Sequence, residues 1–562
     1  MHMAAAFPRR RIIWRMMMVM LLFGMMSKGI SFAQSPEDVD NILPVEHDSL
    51  SADRDLPPED PLLPTEDQAA EEEQETETAQ PTEADRLPVT GDILVSVELI
   101  KEQERIGLRI ISEKPSPYRI KMSAAATRLI VDLPAMTHNS ELPQYISAGV
   151  DGVLRSLETS PLGEEGTQVA LTLAYAVPDW SDTGWVRIDG GLYKLVVAAQ
   201  RRFVQHREFV LQQSVTLIMQ NRGEVSGPIS VRALRFSPHD SQTRLGLGLA
   251  EGAAMGLEPV PAIVRRYGAY AGVNAAYFHA SGLSLGLLVN EYTLVSTPVY
   301  DRTALLMLSD GSIGMDRAAL QAYVHLADET QVAVHGFNRI RKAGEVVVYN
   351  SAFGSHTPKD TQVRELIIEK GAVVAIGHGN TPIGPGTTVI AHDSQSLLIL
   401  AQPGERAFVT WDLRLLGYQT IIPGYMVRLA VSGGPRLVAD GQVFITSADE
   451  QFRSDVTQGR APRTAIGITA DYQILLVTVD GRQLNHSIGM TLEELAHLMI
   501  ELGAVQAMNL DGGGSTTMVV DDVVVNRPSN GSARAVSSAL LVYTRGIAMP
   551  QDDRTLSMES AY

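Results

Sequence analysis

NLDGGGSTTMVVDDVVV, residues 509–525, sets three consecutive glycines between a carboxylate and three hydroxyls, then runs into two short β-branched pieces around an Asp-Asp pair. An ordered glycine gives up more conformational freedom than any other residue, so three together are kept where the chain turns sharply or something approaches closely. The pieces MVV and VVV around Asp521-Asp522 read as a hairpin, so the glycines form a loop leading into a strand. A P-loop or a dinucleotide-binding turn must instead lead into a helix, and both are excluded. Two readings remain. Gly512, Gly513 and Gly514 form a nest of amides that cradles an anion, with Ser515 and Thr516 adding hydroxyls; or the loop is a tight turn in which Asp511 only bonds nearby amides.

Upstream of the loop, TLEELAHLMIELGA (residues 491–504) predicts a helix. Thr491 and Glu494 form a capping box, Leu492, Leu495, Ala496, Met499 and Leu502 keep helical spacing, and Gly503 suits the stop. Around it the chain reads as short strands, including QVAVHGF, EVVVYN, VRELIIE, SLLILA and QILLVTV. The predicted fold class is therefore α+β, a mainly antiparallel β domain with few helices, from about 227 to 546. Asp480 ends the strand QILLVTV and is followed by Gly481-Arg482, while Arg463 opens the strand RTAIGIT. Two carboxylates with two arginines suit a substrate bearing a glycosidic bond and a phosphate. Carboxylates serve as acid and as nucleophile or base, and an arginine fork grips phosphate oxygens.

Other candidates are poorer. His279, His335, His378, His392 and His486 show no HxH or HxxxH pairing, which argues against a histidine metal site. Asp521-Asp522 reads as a solvated turn, and whether a divalent cation binds elsewhere stays open. Ser515 lacks the GxSxG elbow that leads a nucleophile into a helix. No cofactor is expected.

The motifs GVNAAYF, DRTALLMLSDGS, VSGGPRLVADGQV, RAPRTAIGI, LVTVDGR, SIGMTLEELAHLMIELGAVQAMNLDGGGSTTM, VVNRPSNG and RAVSSALLV follow one another in order. Together they closely resemble the phosphodiester glycosidase family over about residues 227–545. The resemblance implies hydrolysis of a sugar-1-phosphodiester at the glycosidic carbon–oxygen bond, giving free sugar and a phosphomonoester. It implies catalytic roles for Asp511 and Asp480. It implies substrate contacts from Asn274, Arg302, Arg463, Arg482, Gly512, Gly513, Gly514, Ser515, Thr516, Asn526 and Arg534. The chain departs from the usual pattern at VNAAYF, where a glycine commonly follows the asparagine and phenylalanine replaces Tyr277. It departs again at Ser529-Asn530-Gly531, where an aspartate is more usual. Which carboxylate protonates and which attacks is left open.

Before this domain, residues 91–200 alternate apolar and polar in short runs separated by Pro, Gly, Asn and Asp, predicting a small all-β domain. The order ATRLIVDLPAM, DGVLRSLE, TQVALTL resembles an AMIN domain, a module associated with cell-wall glycan. Residues 201–226 read as a connecting segment and 547–562 as a tail. Residues 36–87 hold 18 acids against two arginines and no aromatic residue, so 34–90 reads as a disordered acidic tether. At the N-terminus, four arginines precede the apolar run MMMVMLLFGMM, with Ser31-Phe32-Ala33 beyond. Residues 1–33 thus read as a signal peptide, or failing cleavage an anchor, with no transmembrane segment after its removal. An exported protein, periplasmic or extracellular and associated with the cell envelope, is expected. The absence of cysteine rules out disulfides. Most of the net charge of −19 sits in the tether, and no basic face suggests nucleic acid. The expected partners are a sugar-phosphate glycan substrate and, through the β domain, cell-wall glycan. The competing reading is a catalytically silent glycan-binding protein of the same fold.

Overall fold

The computed structural model describes residues 92–137, 145–147, 153–393 and 396–544. The segments read as signal peptide, acidic tether and tail lie outside these residues. Strand dominates, as the alternating sequence requires. Among the described residues the α-helices are short: Val260–Arg266, Ser454–Thr457 and Leu492–Glu501.

Two five-stranded sheets occupy residues 92–200. One is built around Asp92–Lys101, Arg105–Ser112 and Tyr193–Gln200, the other around Arg128–Leu133, Leu154–Leu162 and Gly166–Leu173. Their alternating apolar residues, among them Leu94, Leu108, Leu129, Val131, Leu171 and Val197, share one core. Polar residues take the other positions, as expected for antiparallel strands with one buried face.

Three further sheets meet around a second core that includes Phe236, Leu247, Val273, Leu305, Val431, Ile466, Met508, Met518 and Leu540. The first has eight strands. From one edge they are Phe203–Val210, Thr216–Glu224, Gly227–Phe236, Ile474–Val479, Arg463–Thr469, Ala504–Asn509, Arg436–Ala439 and Gln442–Val443. The helix Leu492–Glu501 lies on its outer face, with Leu492, Leu495, Ala496 and Met499 packed against Ala465, Val477 and Ala507. Its predicted capping box is present: Thr491 Oγ1 accepts from Glu494 N at 3.2 Å, and Thr491 N donates to Glu494 Oε2 at 3.0 Å. A second sheet runs Thr243–Leu249, Ser538–Thr544, Ala271–Asn274, Met518–Val520, Val523–Val524. The predicted hairpin closes it. Val520 pairs with Val523, and both Asp521 and Asp522 have positive φ, the pattern of a two-residue type I′ turn. The third sheet contains Thr303–Leu308 beside Val427–Ser432, and a fourth, within residues 336–392, packs on its far side.

Residues 201–226, expected to connect two domains, belong instead to the first sheet. Phe203–Val210 pairs with Thr216–Glu224 along its whole length, and the latter with Gly227–Phe236. The sequence hid this because Phe203–Val210 is an exposed edge strand with almost no buried residue, so it shows no apolar alternation. A chain starting near residue 225 would lose the buried Val215, Leu217 and Ile218 and bare the edge of Gly227–Phe236. Each such side chain contributes about 1.5–3 kcal/mol. We therefore expect a chain begun at 225 to melt clearly below one begun at 201, or to aggregate. Equal melting and solubility would show that the hairpin is dispensable.

Candidate active site

Sheet register brings the sequence candidates together. Arg463 opens its strand opposite Val479, the residue before Asp480, and Ala465 pairs with Asn509, two residues before Asp511. In the second sheet Val273 pairs with Met518, which puts Asn274 beside the far end of the same loop. The triple-glycine loop therefore passes from one sheet to another, leaving the first at Asn509 and entering the second at Met518.

Asn274 ties this crossing at both ends. Fully buried, it donates from Nδ2 to the Asp511 carbonyl at 2.6 Å, and its Oδ1 accepts from Thr517 N at 3.1 Å and Thr464 Oγ1 at 2.8 Å. Its oxygen is fully used and its side chain is sealed from solvent, so it positions the loop. The glycines answer to the same crowding. A Cβ on Gly512 would lie 2.8 Å from the Pro462 carbonyl oxygen, one on Gly514 would lie 3.0 Å from Asn530 Nδ2, and Gly513 has φ +59. Gly513 N donates to Pro462 O at 2.8 Å, Ser515 N to Gly512 O at 3.1 Å and Thr516 N to Gly513 O at 3.3 Å. Of the three amides expected to form a nest, that of Gly513 is spent on a protein carbonyl and that of Gly512 favours the Asp511 carboxylate. Ser515 and Thr516 are buried, and Thr516 Oγ1 accepts from Thr464 Oγ1 at 3.3 Å. Close backbone packing is thus sufficient reason for the three glycines.

Asp511 is different. Burial pushes its carboxyl up to about 6, against the opposing pull of the Ser515 hydroxyl, the Arg534 charge and the Gly512 amide. Ser515 Oγ makes no hydrogen bond of normal geometry, yet lies close enough to favour the anion. Beside it stands Tyr277, its phenol raised by burial and by the Asp511 charge and held down by Arg302 and Arg463. The Tyr277 hydroxyl donates to Gly434 O at 2.9 Å and accepts from Asn509 Nδ2 at 2.8 Å, so it braces the loop.

Arg534 acts on this carboxyl, Arg302 and Arg463 act on Tyr277 beside it, and Arg482 lies against Gly513; among the described residues none of the four forms a salt bridge with a carboxylate. Arg463, 3 % exposed, donates to the carbonyls of Met490 at 2.9 Å, Val456 at 2.9 Å and Gly459 at 3.2 Å. Arg302, 8 % exposed, donates only from Nε, to Glu450 O at 3.2 Å. Its guanidinium carbon stands 3.9 Å from the centre of the Phe452 ring, 5.5 Å from Tyr300 and 5.8 Å from Tyr277. Burial lowers the pKa of both. Arg482 is exposed, has φ +60, and lies against Gly513. Arg534 sits 5.3 Å over the Phe278 ring. Buried cations without counterions are costly, and an anionic ligand would offset that cost.

Asp480, the second carboxylate, is 2 % exposed and fully engaged. It accepts from His486 Nε2 at 2.8 Å, from Asn526 Nδ2 at 2.9 Å, and at both oxygens from Arg527 N at 3.0 Å. Asn526 also donates to Thr516 O at 3.2 Å and accepts from Met518 N at 2.7 Å, linking Asp480 to the glycine loop. Asp480 and Asn526 therefore organise the site without presenting free atoms to it. His486, Tyr277, Asn509 and Phe452 were not singled out as site residues from the sequence. Only His486 carried a usable signal, six residues beyond Asp480 in the same loop. No cluster of three or more metal-ligating side chains occurs among the described residues.

A carboxylic acid raised toward neutrality, ringed by unpaired arginines at the junction of antiparallel sheets, defines a site for acid–base chemistry on an anionic substrate. Residues 344–543 match the family model of the phosphodiester glycosidases, which bears out over that stretch the resemblance carried by the motifs. Asn274 and Arg302 lie before the matched stretch. A prophage-derived uncharacterized protein of Bacillus subtilis, YomE, is 40% identical over 92 residues, 16% of this chain and 13% of that protein. Mouse N-acetylglucosamine-1-phosphodiester alpha-N-acetylglucosaminidase is 29% identical over 132 residues, 20% of this chain and 25% of that enzyme. The chain thus spans at most about a quarter of the length of these curated relatives. A hypothetical protein from Synechocystis, solved by crystallography, shares the fold at a TM-score of 0.53 and 20% identity, covering 82% of each chain.

Proposed function

We propose that this protein is a hydrolase that cleaves the glycosidic bond of a sugar-1-phosphodiester, releasing free sugar and a phosphomonoester. The observation that carries the reading is Asp511, raised to about 6, with Arg534 acting on it and Arg302, Arg463 and Arg482 on its neighbours Tyr277 and Gly513. The arginines supply the positive field for a phosphodiester, with Arg302 the better gripper because its terminal nitrogens make no protein hydrogen bond. Asp511 is the carboxylate left free to act at the anomeric carbon, as base toward water or as nucleophile. The mouse relative's name describes chemistry on such a diester, which agrees with this assignment. The arginine-rich start and apolar run of residues 1–33 support export, and the expected substrate is then a cell-envelope or extracellular glycan. The AMIN-like order of strands in residues 91–200 supports contact with cell-wall glycan.

The test is to incubate the purified protein with a panel of sugar-1-phosphodiesters in ¹⁸O-labelled water, assaying free sugar and phosphate separately. The label should enter the sugar, as cleavage at carbon requires. Label in the phosphate would make the protein a phosphodiesterase. No turnover across the panel would favour the silent glycan-binding reading.

A further inference from the structure

The proposed hydrolysis leaves one proton unassigned, the one that neutralises the departing phosphate oxygen, and Asp480 cannot supply it. We infer that His486 is the proton donor to the leaving phosphate, held in place by Asp480 as a positioning residue. This inference rests on the phosphodiester glycosidase reading and extends it to a residue outside the motif carboxylates and arginines.

The geometry that carries it is a buried carboxylate facing a half-open imidazole. An ionised carboxylate can only accept, so Nε2 carries the hydrogen in the 2.8 Å contact with Asp480. That fixes the ring orientation and leaves Nδ1 without a hydrogen-bonding partner among the described residues. The loop presenting it is pinned at both ends. Gln483 N donates to Ser487 O at 3.0 Å and Ser487 N to Gln483 O at 2.7 Å, while the Ser487 hydroxyl donates to Asp480 O and accepts from Ser230 N at 3.1 Å. Arg482, in the same loop, lies against Gly513, and Asn526 joins Asp480 to the carbonyl of Thr516. His486 is thus joined through Asp480 and Asn526 to the glycine loop that carries Asp511. The charges around it are Asp480, Arg482 on its own loop, Arg527 after the hairpin, Arg232 on the strand Gly227–Phe236, and Arg155, whose guanidinium meets Asn485.

The step balances. The bond between the anomeric carbon and the phosphate oxygen breaks, and its electron pair goes to that oxygen. His486, entering the step as the imidazolium with Nε2–H on Asp480, gives it the proton on Nδ1 and becomes neutral, while water bonds to the carbon and passes a proton to Asp511. Solvent then restores both groups.

The experiment compares His486→Gln and His486→Ala with the parent protein for kcat, KM, pH profile and melting. A proton donor lost from this position should lower kcat by roughly a hundredfold with KM nearly unchanged. The fall of activity on the alkaline side should flatten, and added imidazole should restore part of the alanine variant's rate. Folded variants that keep kcat and the alkaline limb overturn the inference alone, leaving the glycosidase reading intact. A lower melting temperature with an unchanged pH profile and no rescue makes His486 a brace for Asp480, and also overturns it. A parent protein that releases no sugar from any diester overturns both.

Discussion

Replacing Asp511 by Asn is expected to cut free-sugar release by about 10²–10⁴-fold, the usual contribution of one acid–base group. Folding should be unaffected or improved. The amide keeps the shape of the carboxyl and retains an oxygen for the Gly512 amide and Ser515 hydroxyl that now favour the anion. The sign on stability follows from burial. The carboxyl titrates near 6 in the folded protein, above the ~3.9 of an unfolded chain, so the folded state holds the proton more tightly. Ionising it costs nothing below the unfolded value, progressively more between the two, and a constant amount above the folded one. A shift of about two units corresponds to at most about 3 kcal/mol, less because the side chain is partly open to solvent. The uncharged amide escapes that cost. The variant should therefore melt at or above the parent at pH 7 and lose the advantage near pH 4. Parent activity should rise with pH through about 6 as the carboxylate forms. A variant that melts early yet keeps its turnover per folded molecule would make Asp511 a turn cap.

The hairpin after the glycines, the capped helix before them and the antiparallel character were legible because each has a local cause. Two β-branched runs around Asp521-Asp522 need only a two-residue turn, and Thr491 with Glu494 needs only its own helix end. Asp511 stood out as a candidate too, beside glycines that nothing local required. What could not be read was the use of each atom. Asp480 and Asp511 look alike in sequence, yet the partners that occupy Asp480 come from positions 486, 526 and 527, folded onto it by two different loops. Asn274 presents the same difficulty, since the loop it secures lies more than two hundred residues away. The packing need for the glycines was hidden for a related reason, because the groups that crowd them, the Pro462 carbonyl and Asn530, lie elsewhere in the chain. Phe203–Val210 escaped for the opposite reason, having almost no buried residue to betray it.

Arg302 and Arg463 look interchangeable as buried guanidiniums, and substituting each should separate binding from bracing. Arg302 stacks on Phe452 and uses one nitrogen on a carbonyl, leaving its terminal nitrogens free for an anion. Replacing it by Met keeps the bulk against the ring and removes the charge. One charge-assisted hydrogen bond contributes about 1.5–3 kcal/mol, so KM for a phosphodiester should rise about ten- to a hundredfold. Melting should change little, since the burial cost that is removed is balanced in part by the lost attraction to Glu450 and Asp455. Arg463 behaves oppositely. Its guanidinium satisfies the carbonyls of Val456, Gly459 and Met490, which lie on two segments flanking the site. Lys cannot reach all three, and a buried cation left short of acceptors costs about 1–3 kcal/mol for each bond lost. Arg463→Lys should therefore lower the melting temperature markedly, with any loss of activity tracking loss of folded protein. Steady-state kinetics and thermal melts on both variants decide the matter. An Arg302→Met protein with unchanged KM and early melting would move the phosphate site to Arg482 and Arg534. An Arg463→Lys protein that melts normally but binds substrate poorly would return Arg463 to the role its place in the sequence first suggested.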